Sequence, residues 1–590
     1  MHKMNLGNRR TKMIQLVTMM VFLLAVTNKG ISQHTRLVAY WKLLGDAKNH
    51  AGKGNDGINH GVEFPGGSGA MFNGENSYIE IPSSASLAFG KDNFSISAWV
   101  KCAPGARVGG DIVNKFDTDS RTGFNFHILS SSSAYNAVSD SRNVFFGVDQ
   151  ARNGKWIEEG LPVRTNNEIT LFVVFKNHLY AGISATLDPE KSCRLFRYEG
   201  PNKWKDCGRI SKDLNTPSAM TAVIHKGSLY IGTGKWDYMD QENAGMAAVY
   251  KYDGDTSWSQ VGTFPLGKKR IHTLASFNQT LYCSDDTGET YRYDESDNKW
   301  VLIHKLDRYK FISSGVYRDQ LFCGSSNSIY AVDKNDHWNK LGAFNAMEIN
   351  QVHTLETYQG MLYAGTWPDG IILRYDKDTS WTPCGIVGVQ DQSYYTLETT
   401  PRLPYKSHKN EIQELAVYNG KMYCGVIPKG EVWRYDGGQK TTLITRLVHN
   451  DKYSIDKHET WCRVPTMAVY KGKLFAGTGT ARGFPTADQP IETGRVYSWQ
   501  TGAGVSLDDD IGTDWRNIVV VRENGRLKIY MDGKLQSSSS NDASSMNINN
   551  KSPFLIGFGQ QNYFKGNIKE IKVYHGALTA SQVATLYAQP

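Results

Sequence analysis

Seven segments between residues 160 and 500 repeat one phrase, an apolar strand that runs into an aromatic-Gly turn. They are TLFVVFKNHLYAG (170–182), MTAVIHKGSLYIG (220–232), HTLASFNQTLYCS (272–284), ISSGVYRDQLFCG (312–324), HTLETYQGMLYAG (353–365), QELAVYNGKMYCG (413–425) and PTMAVYKGKLFAG (465–477). Successive copies are 40–60 residues apart. That period belongs to blade-type repeats, in which each unit buries its apolar face only against its neighbours. After the shared phrase, a third strand ends in an aromatic-acidic turn such as Arg292-Tyr293-Asp294 or Arg434-Tyr435-Asp436. A fourth opens on Trp204, Trp258, Trp300, Trp338 or Trp381. Four short strands per unit, radially repeated, predict a β-propeller of seven blades.

The seventh copy lacks a fourth strand, because Trp499 runs into Gly-rich sequence. The missing phrase lies upstream, at Gly154-Lys155-Trp156-Ile157-Glu158-Glu159-Gly160. A strand from the start of the region therefore closes the last blade, and the ring has no open sheet edge. Closure brings residues near 154 and 500 together.

The flanks, 36–152 and 505–590, are strand-rich without the blade phrase. The run Phe94-Ser95-Ile96-Ser97-Ala98-Trp99-Val100-Lys101 alternates as a half-buried strand does. Near the far end, Asp514–Arg522 and Gly525–Gly533 form a hairpin pair, and Leu578–Tyr587 a short helix; Trp99 and Val519 are expected in one core shared by the two flanks. The phrases GAMFNGENSYIEIP and FSISAWVK in front, and PFLIGFGQQNYFKGNIKEIKVYHGALTASQVATLY (553–587) behind, carry a resemblance to the bacterial laminin-G/concanavalin-A-like sandwich family. The resemblance implies one sandwich split in two. The expected fold is all-β, a seven-bladed propeller inserted into a laminin-G-like β-sandwich. An insert whose ends meet fits a loop without stretching its host. The expected division is 1–32 signal peptide, 33–153 first half of the sandwich, 154–500 propeller and 501–590 second half.

Residues 1–32 read as a secretory signal. Lys3, Arg9, Arg10 and Lys12 precede an apolar stretch from Met13 to Val26, with Gly30-Ile31-Ser32 before the expected cut. No later run is apolar enough to span a membrane, so an exported, periplasmic or secreted protein is expected. Eight cysteines would then suggest disulfides. However, Cys283, Cys323 and Cys424 hold a slot filled by Ala181, Ile231, Ala364 and Ala476 in other copies, which marks them as small buried apolar residues. Cys193 and Cys207 remain candidates for a bridge across one hairpin.

Chemistry is expected on the loops that lead into the innermost strands, since these are long and basic. They carry Arg270, Arg308, Lys310, Lys406 and Arg463, with Tyr309, His408 and His458 among them. A formal net charge of +8 on 590 residues is a mild bias, so this clustering matters more than the total. A ring of cations around a central funnel focuses field on an anionic ligand. His272 and His353 occupy one alignment slot two blades apart, where other copies have Thr170, Met220, Ile312, Gln413 and Pro465. They are an acid/base pair, or channel histidines that only hydrogen-bond. Metal comes second, because no third ligand is evident; no cofactor is called for, and Ca²⁺ stays open. Trp236 and Trp367 offer faces on which sugar rings stack.

Cations, His and Tyr without paired carboxylates suit β-elimination beside a uronate. A cation neutralises the carboxylate and acidifies the α-proton, and His272, His353 or Tyr309 moves protons. The general look is similar to propeller-fold polysaccharide lyases of the ulvan type, though no short motif of theirs is matched. The expected partner is an acidic polysaccharide or oligosaccharide, with no nucleic acid and no membrane span. The reading is a lyase, or a dehydratase of a terminal uronate. A lectin role uses the same surface without needing the histidines. A glycoside hydrolase needs two carboxylates, for which Glu356 and Glu414 are the nearest candidates.

Overall fold

The computed structural model describes residues 35–589 apart from 106–108, 131–135, 165–167, 186–187, 236–246, 265–267, 269, 307–309, 345–346, 348, 389–409, 449–461 and 481–492. The leader-like stretch 1–32 lies outside the described residues.

Each repeat folds into four antiparallel strands joined in sequence order. In the fifth, for example, Gln351–Tyr358, Met361–Trp367, Ile371–Lys377 and Ser380–Ile386 form one sheet. The seventh takes three strands from Cys462–Tyr470, Lys473–Thr480 and Val496–Trp499, and its fourth from Ile157–Gly160. The closing pairs are Val496 with Gly160, Tyr497 with Glu158 and Ser498 with Ile157. Trp156 stacks on Trp499 at 5.6 Å between ring centres. Apolar side chains alternate along the inner strands and pack between neighbouring blades, as where Leu171 and Val173 meet Ala222 and Ile231.

The flanks form two facing seven-stranded sheets. In one, Phe94–Cys102 lies between Lys565–His575 and Arg516–Glu523, so front and back halves of the chain share a single sheet. The other ends with Asn143–Gln150 against Ala503–Leu507, where Val148 pairs with Ala503. The propeller is inserted between these two strands. Their pairing holds the ends of the insert together, so the sandwich core forms as if the chain were continuous. That core takes Phe94, Ile96, Ala98 and Val100 from one sheet and Phe124, Phe126, Ile128 and Phe146 from the other. Trp99 and Val519, expected in this core, lie instead on the outer face of their sheet. Val519 packs under the helix Ala580–Ala588 with Leu578 and Val583, and Trp99 stacks on Tyr587 at 5.8 Å. Strand alternation explains this: Ala98 and Val100 point inward, so Trp99 points out.

The tight turns between first and second strands of the blades dock on the sandwich. Gln359 donates its backbone N–H to Gln560 O at 3.0 Å, and Asn177 donates to Asp508 O at 2.9 Å. Asn419 Nδ2 donates to Thr501 O at 2.8 Å, and Lys565 pairs with Asp319. Gly472, at φ +71°, brings its turn so close that an added Cβ would lie 2.2 Å from Gly504 O. Gly472→Ala therefore demands both a left-handed alanine and a displaced backbone. It should destabilise the protein by more than about 1 kcal/mol, read as a lower urea midpoint; an unchanged midpoint would mean that the turn is not docked in this way.

A sandwich segment also enters the propeller axis. Asn136 Nδ2 donates to Glu356 Oε2 at 3.1 Å and to Leu415 O at 3.2 Å, in blades five and six. Two residues on, Val138 bridges to Ala275 in blade three, and Asp140 N donates to Ile224 O at 2.8 Å in blade two. A short segment that touches inner strands on opposite sides of the ring must cross the channel. The sandwich thus closes one end of it.

The eight cysteines are buried and unbridged. Cys193 and Cys207 share one core but are not joined. Cys193 lies opposite Ile210, whose N–H donates to Cys193 O at 2.8 Å.

Candidate functional site

The inner strands run from the face away from the sandwich toward the docked turns. Their first residues therefore surround the other mouth of the channel. Among these are Glu168, Ser218, Gln351 and Glu411, with Arg270 and Lys310 one residue ahead of their strands and Arg463 one residue inside. All seven are polar, one from each blade, at the same repeat position. That position is two residues before the slot of His272 and His353.

The slot itself is a β-bulge. Ile271 pairs with Asp285 and Thr273 with Ser284, which leaves His272 as the extra residue. Val352 and Thr354 flank His353 in the same way. Thr170, Met220, Ile312 and Gln413 are the extra residues of their blades, and Val464-Pro465 spans the bulge in the seventh. A bulge re-aims a side chain and breaks the ladder locally. The alignment showed the slot as a position. Alternation of apolar residues did not reveal the bulge, because the phrase keeps its length in every copy.

His272 is 2% exposed and His353 7%. Burial holds His272 well below the usual imidazole range, and Arg270, Lys310 and His353 push it further down. Burial does the same to His353, reinforced by Lys310, Arg463 and Arg270. Both rings are neutral at pH 7, as a proton acceptor must be. Lys310 is brought down to about 8, first by burial and then by Arg270. These shifts show that residues from blades three, four, five and seven act on one another at the mouth.

The ring is laced with direct contacts. Arg463 Nη1 donates to Glu168 Oε1 at 3.2 Å. His353 Nδ1 lies 3.1 Å from Glu411 Oε1, and its Nε2 lies 2.5 Å from Gln351 Oε1. Gln413 Nε2 donates to the same Glu411 oxygen at 2.9 Å. Burial raises the Glu411 carboxyl, while Arg463, Gln413, Lys310 and Arg270 oppose that shift. Among the seven ring positions three cations face two carboxylates, and the Asp286 carboxylate, which accepts from Arg270 N at 3.4 Å, also acts on Lys310.

Of the residues expected from the sequence, the structure brings together His272, His353, Arg270, Lys310 and Arg463. Trp367 ends the second strand of blade five and pairs with Gln351, beside the same mouth. Tyr309, Arg308, Lys406, His408, His458 and Trp236 lie outside the described residues. Glu356 and Glu414 sit deeper along their strands. Glu356 is held by Asn136 at the closed end, and Glu414 is fully buried. Glu168, Gln351, Glu411 and Gln413 were missed as site residues. Reading two positions upstream of the histidine slot in every copy finds the first three. Among the described residues, no three or more His, Cys, Asp or Glu side chains form a group able to hold a metal ion. Nor is any described helix long and apolar enough to cross a membrane.

Residues 436–584 match the family model described as the concanavalin A-like lectin/glucanases superfamily. The structure assigns 436–499 of that span to the last two blades, and the sandwich strands within it begin at Ala503. The front half of the sandwich lies outside the match, separated from the back half by the inserted propeller. The chain thus joins a seven-bladed propeller to a concanavalin A-like sandwich, a fold of the carbohydrate-binding type. Three solved structures are similar to parts of it. A peptide-bound YCF48 is 13% identical, with 59% of this chain and 97% of that one covered at a TM-score of 0.38. The WD40 repeats of RRP9 are 12% identical, with 60% and 99% covered at 0.37. The computationally designed Ika8 protein is 10% identical, with 71% and 100% covered at 0.33. No curated protein matches the sequence.

Proposed function

We propose that the open channel mouth binds the carboxylate of an acidic sugar and that the protein breaks the neighbouring C–O bond by β-elimination. The observation that carries this reading is the meeting of Arg270, Lys310 and Arg463 with two neutral histidines at one mouth. A cation on the uronate carboxylate stabilises charge that spreads into it as the α-proton leaves. A neutral imidazole takes that proton, the ring carbons form a double bond, and the glycosidic oxygen departs with a proton from a second donor. If the departing group is a free hydroxyl, the same steps dehydrate a terminal uronate. The two carboxylates in the ring, Glu168 and Glu411, are engaged by Arg463 and His353. Glu356 and Glu414 lie away from the mouth, which argues against a glycosidase. The leader-like stretch at 1–32 supports an encounter with the glycan outside the cytoplasm.

Binding without turnover is the second reading. It is favoured by the burial of the ring side chains and by the concanavalin A-like sandwich. Incubation with alginate, polygalacturonate, ulvan and chondroitin sulfate, followed at the absorbance of the unsaturated uronate, separates the two. The expected result is product from at least one of them. Tight binding with no absorbance change on any would leave the lectin reading standing. Binding should weaken with salt in both cases, because the field of a cationic ring is screened over about 10 Å at 0.1 M.

A further inference from the structure

We propose that the outer sheet of the sandwich carries a second glycan-binding surface, a shelf of Trp99, Trp515 and Lys569 that holds an acidic polysaccharide chain away from the channel mouth. The proposal rests on the acidic-glycan reading for its class of ligand, and not on the elimination chemistry.

The propeller packs on the sheet that contains Asn143–Gln150, where Phe145 meets Tyr418 edge-on at 5.8 Å. The other sheet turns its outer face the opposite way. On that face the helix Ala580–Ala588 covers Val519 and Val521. The alternation that aims Ala98 and Val100 inward sets Trp99 and Lys101 outward, and Lys569 is paired directly beside Trp99. Trp515 stands one residue before the strand Arg516–Glu523, and the register that pairs Arg516 with Val100 carries it to Lys101.

The Lys569 ammonium lies over both indoles, 4.7 Å from the ring centre of Trp515 and 5.8 Å from that of Trp99. Trp515 leans on Gly69, at φ +78°, where an added Cβ would lie 3.1 Å from the ring. Neither tryptophan belongs to the core between the sheets, and both are half-buried. Tryptophans left part-exposed in a group are characteristic of surfaces that take a partner.

Charge selects the partner. Among the described residues, Lys42, Lys101 and Lys569 on this face make no ion pair. The carboxylates near them are engaged, Glu570 with Tyr40 and Lys572, and Asp532 with Arg516 at 2.9 Å. An anionic sugar meets both features, since its ring lies on an indole and its carboxylate or sulfate takes an ammonium in a charge-assisted hydrogen bond. A neutral glycan leaves the lysines unused, and an apolar protein face would have to desolvate them. The shelf faces away from the propeller and the open mouth faces away from the sandwich. A long polymer held at one is therefore kept near the other, and the second contact becomes intramolecular.

The test is electrophoresis through gels that contain alginate, polygalacturonate or chondroitin sulfate, with neutral hydroxyethylcellulose as the comparison. Wild type should be retarded by at least one acidic polymer and not by the neutral one. Trp515→Ala should weaken that retention about tenfold or more, as truncation of an aromatic anchor does. Lys569→Met, which keeps the stem and drops the charge, should weaken it about two- to fivefold, the worth of an exposed charge pair. Thermal unfolding checks that both variants fold; should Trp515→Ala not fold, Lys569→Met decides alone. Equal retention of wild type and both variants, no retention of wild type on any acidic polymer, or equal retention on the neutral one would overturn the inference. So would a wild-type dimer in sedimentation that Trp515→Ala dissolves, which would give the face to a second copy of the chain. Absorbance of the unsaturated uronate on the same polymers reports on the mouth separately. Retention lost in the variants, with no product from wild type, would sink the elimination reading and leave the shelf standing. Product from wild type, with retention unchanged in both variants, would sink the shelf alone.

Discussion

His353→Gln and His272→Gln should each lower product formation about 10²–10⁴-fold, the usual contribution of a general acid or base, while the protein stays folded. The slot tolerates change for a structural reason. Other blades place Thr170, Met220, Ile312 and Gln413 at the same bulge, so the sheet does not need an imidazole there. Glutamine is the replacement of choice because Gln413 already fills the equivalent position. The measurement is the unsaturated-uronate absorbance for each single variant and for the pair, with thermal unfolding as the control on folding. The two losses should not multiply if the residues act in one proton-transfer sequence. A double variant that turns over at the wild-type rate would place the chemistry elsewhere in the molecule.

The second large effect concerns the closure of the ring. Trp499 is 2% exposed, stacks on Trp156 at 5.6 Å and meets Tyr423 edge-on at 5.3 Å. Its Nε1 donates to Gly154 O at 3.0 Å, which ties the end of the insert to its beginning. Trp499→Ala leaves a cavity where the closing strand, the seventh blade and blade six all meet. The expected cost is about 3–5 kcal/mol, seen as a lower urea midpoint for the cooperative loss of the propeller. Trp258→Ala is the comparison, because Trp258 is only half-buried on an outer strand with one neighbouring blade. Equal losses from the two would mean that the closure carries no special share of the stability. The position also predicts a coupling. Gly154 and Gln500 bracket the point where the propeller joins the sandwich strands Asn143–Gln150 and Ala503–Leu507, so weakening Trp499 should lower the stability of both units.

The sequence by itself determined the architecture. Blade number, the four strands of each blade, the borrowed closing strand and the split sandwich are all written in local patterns. A seven-fold phrase with a fixed apolar alternation can bury its faces only by stacking in a ring. A final copy lacking a strand whose phrase appears upstream can be completed in only one way. The same alternation also carried the outward aim of Trp99, had its neighbours Ala98 and Val100 been read as the buried face.

Only the tertiary structure decided which mouth is open and what surrounds it. The sandwich lies on the face of the docked turns and sends Asn136 and Val138 across the channel, and nothing in the repeat phrase refers to that segment. The bulge that carries His272 and His353 is a register shift between two strands, which exists only once they pair. Glu411 reads, along the chain, as an acidic residue beginning a strand. It comes within 3.1 Å of His353 because blade six packs directly on blade five, and its buried carboxylate takes a hydrogen bond from Gln413 Nε2.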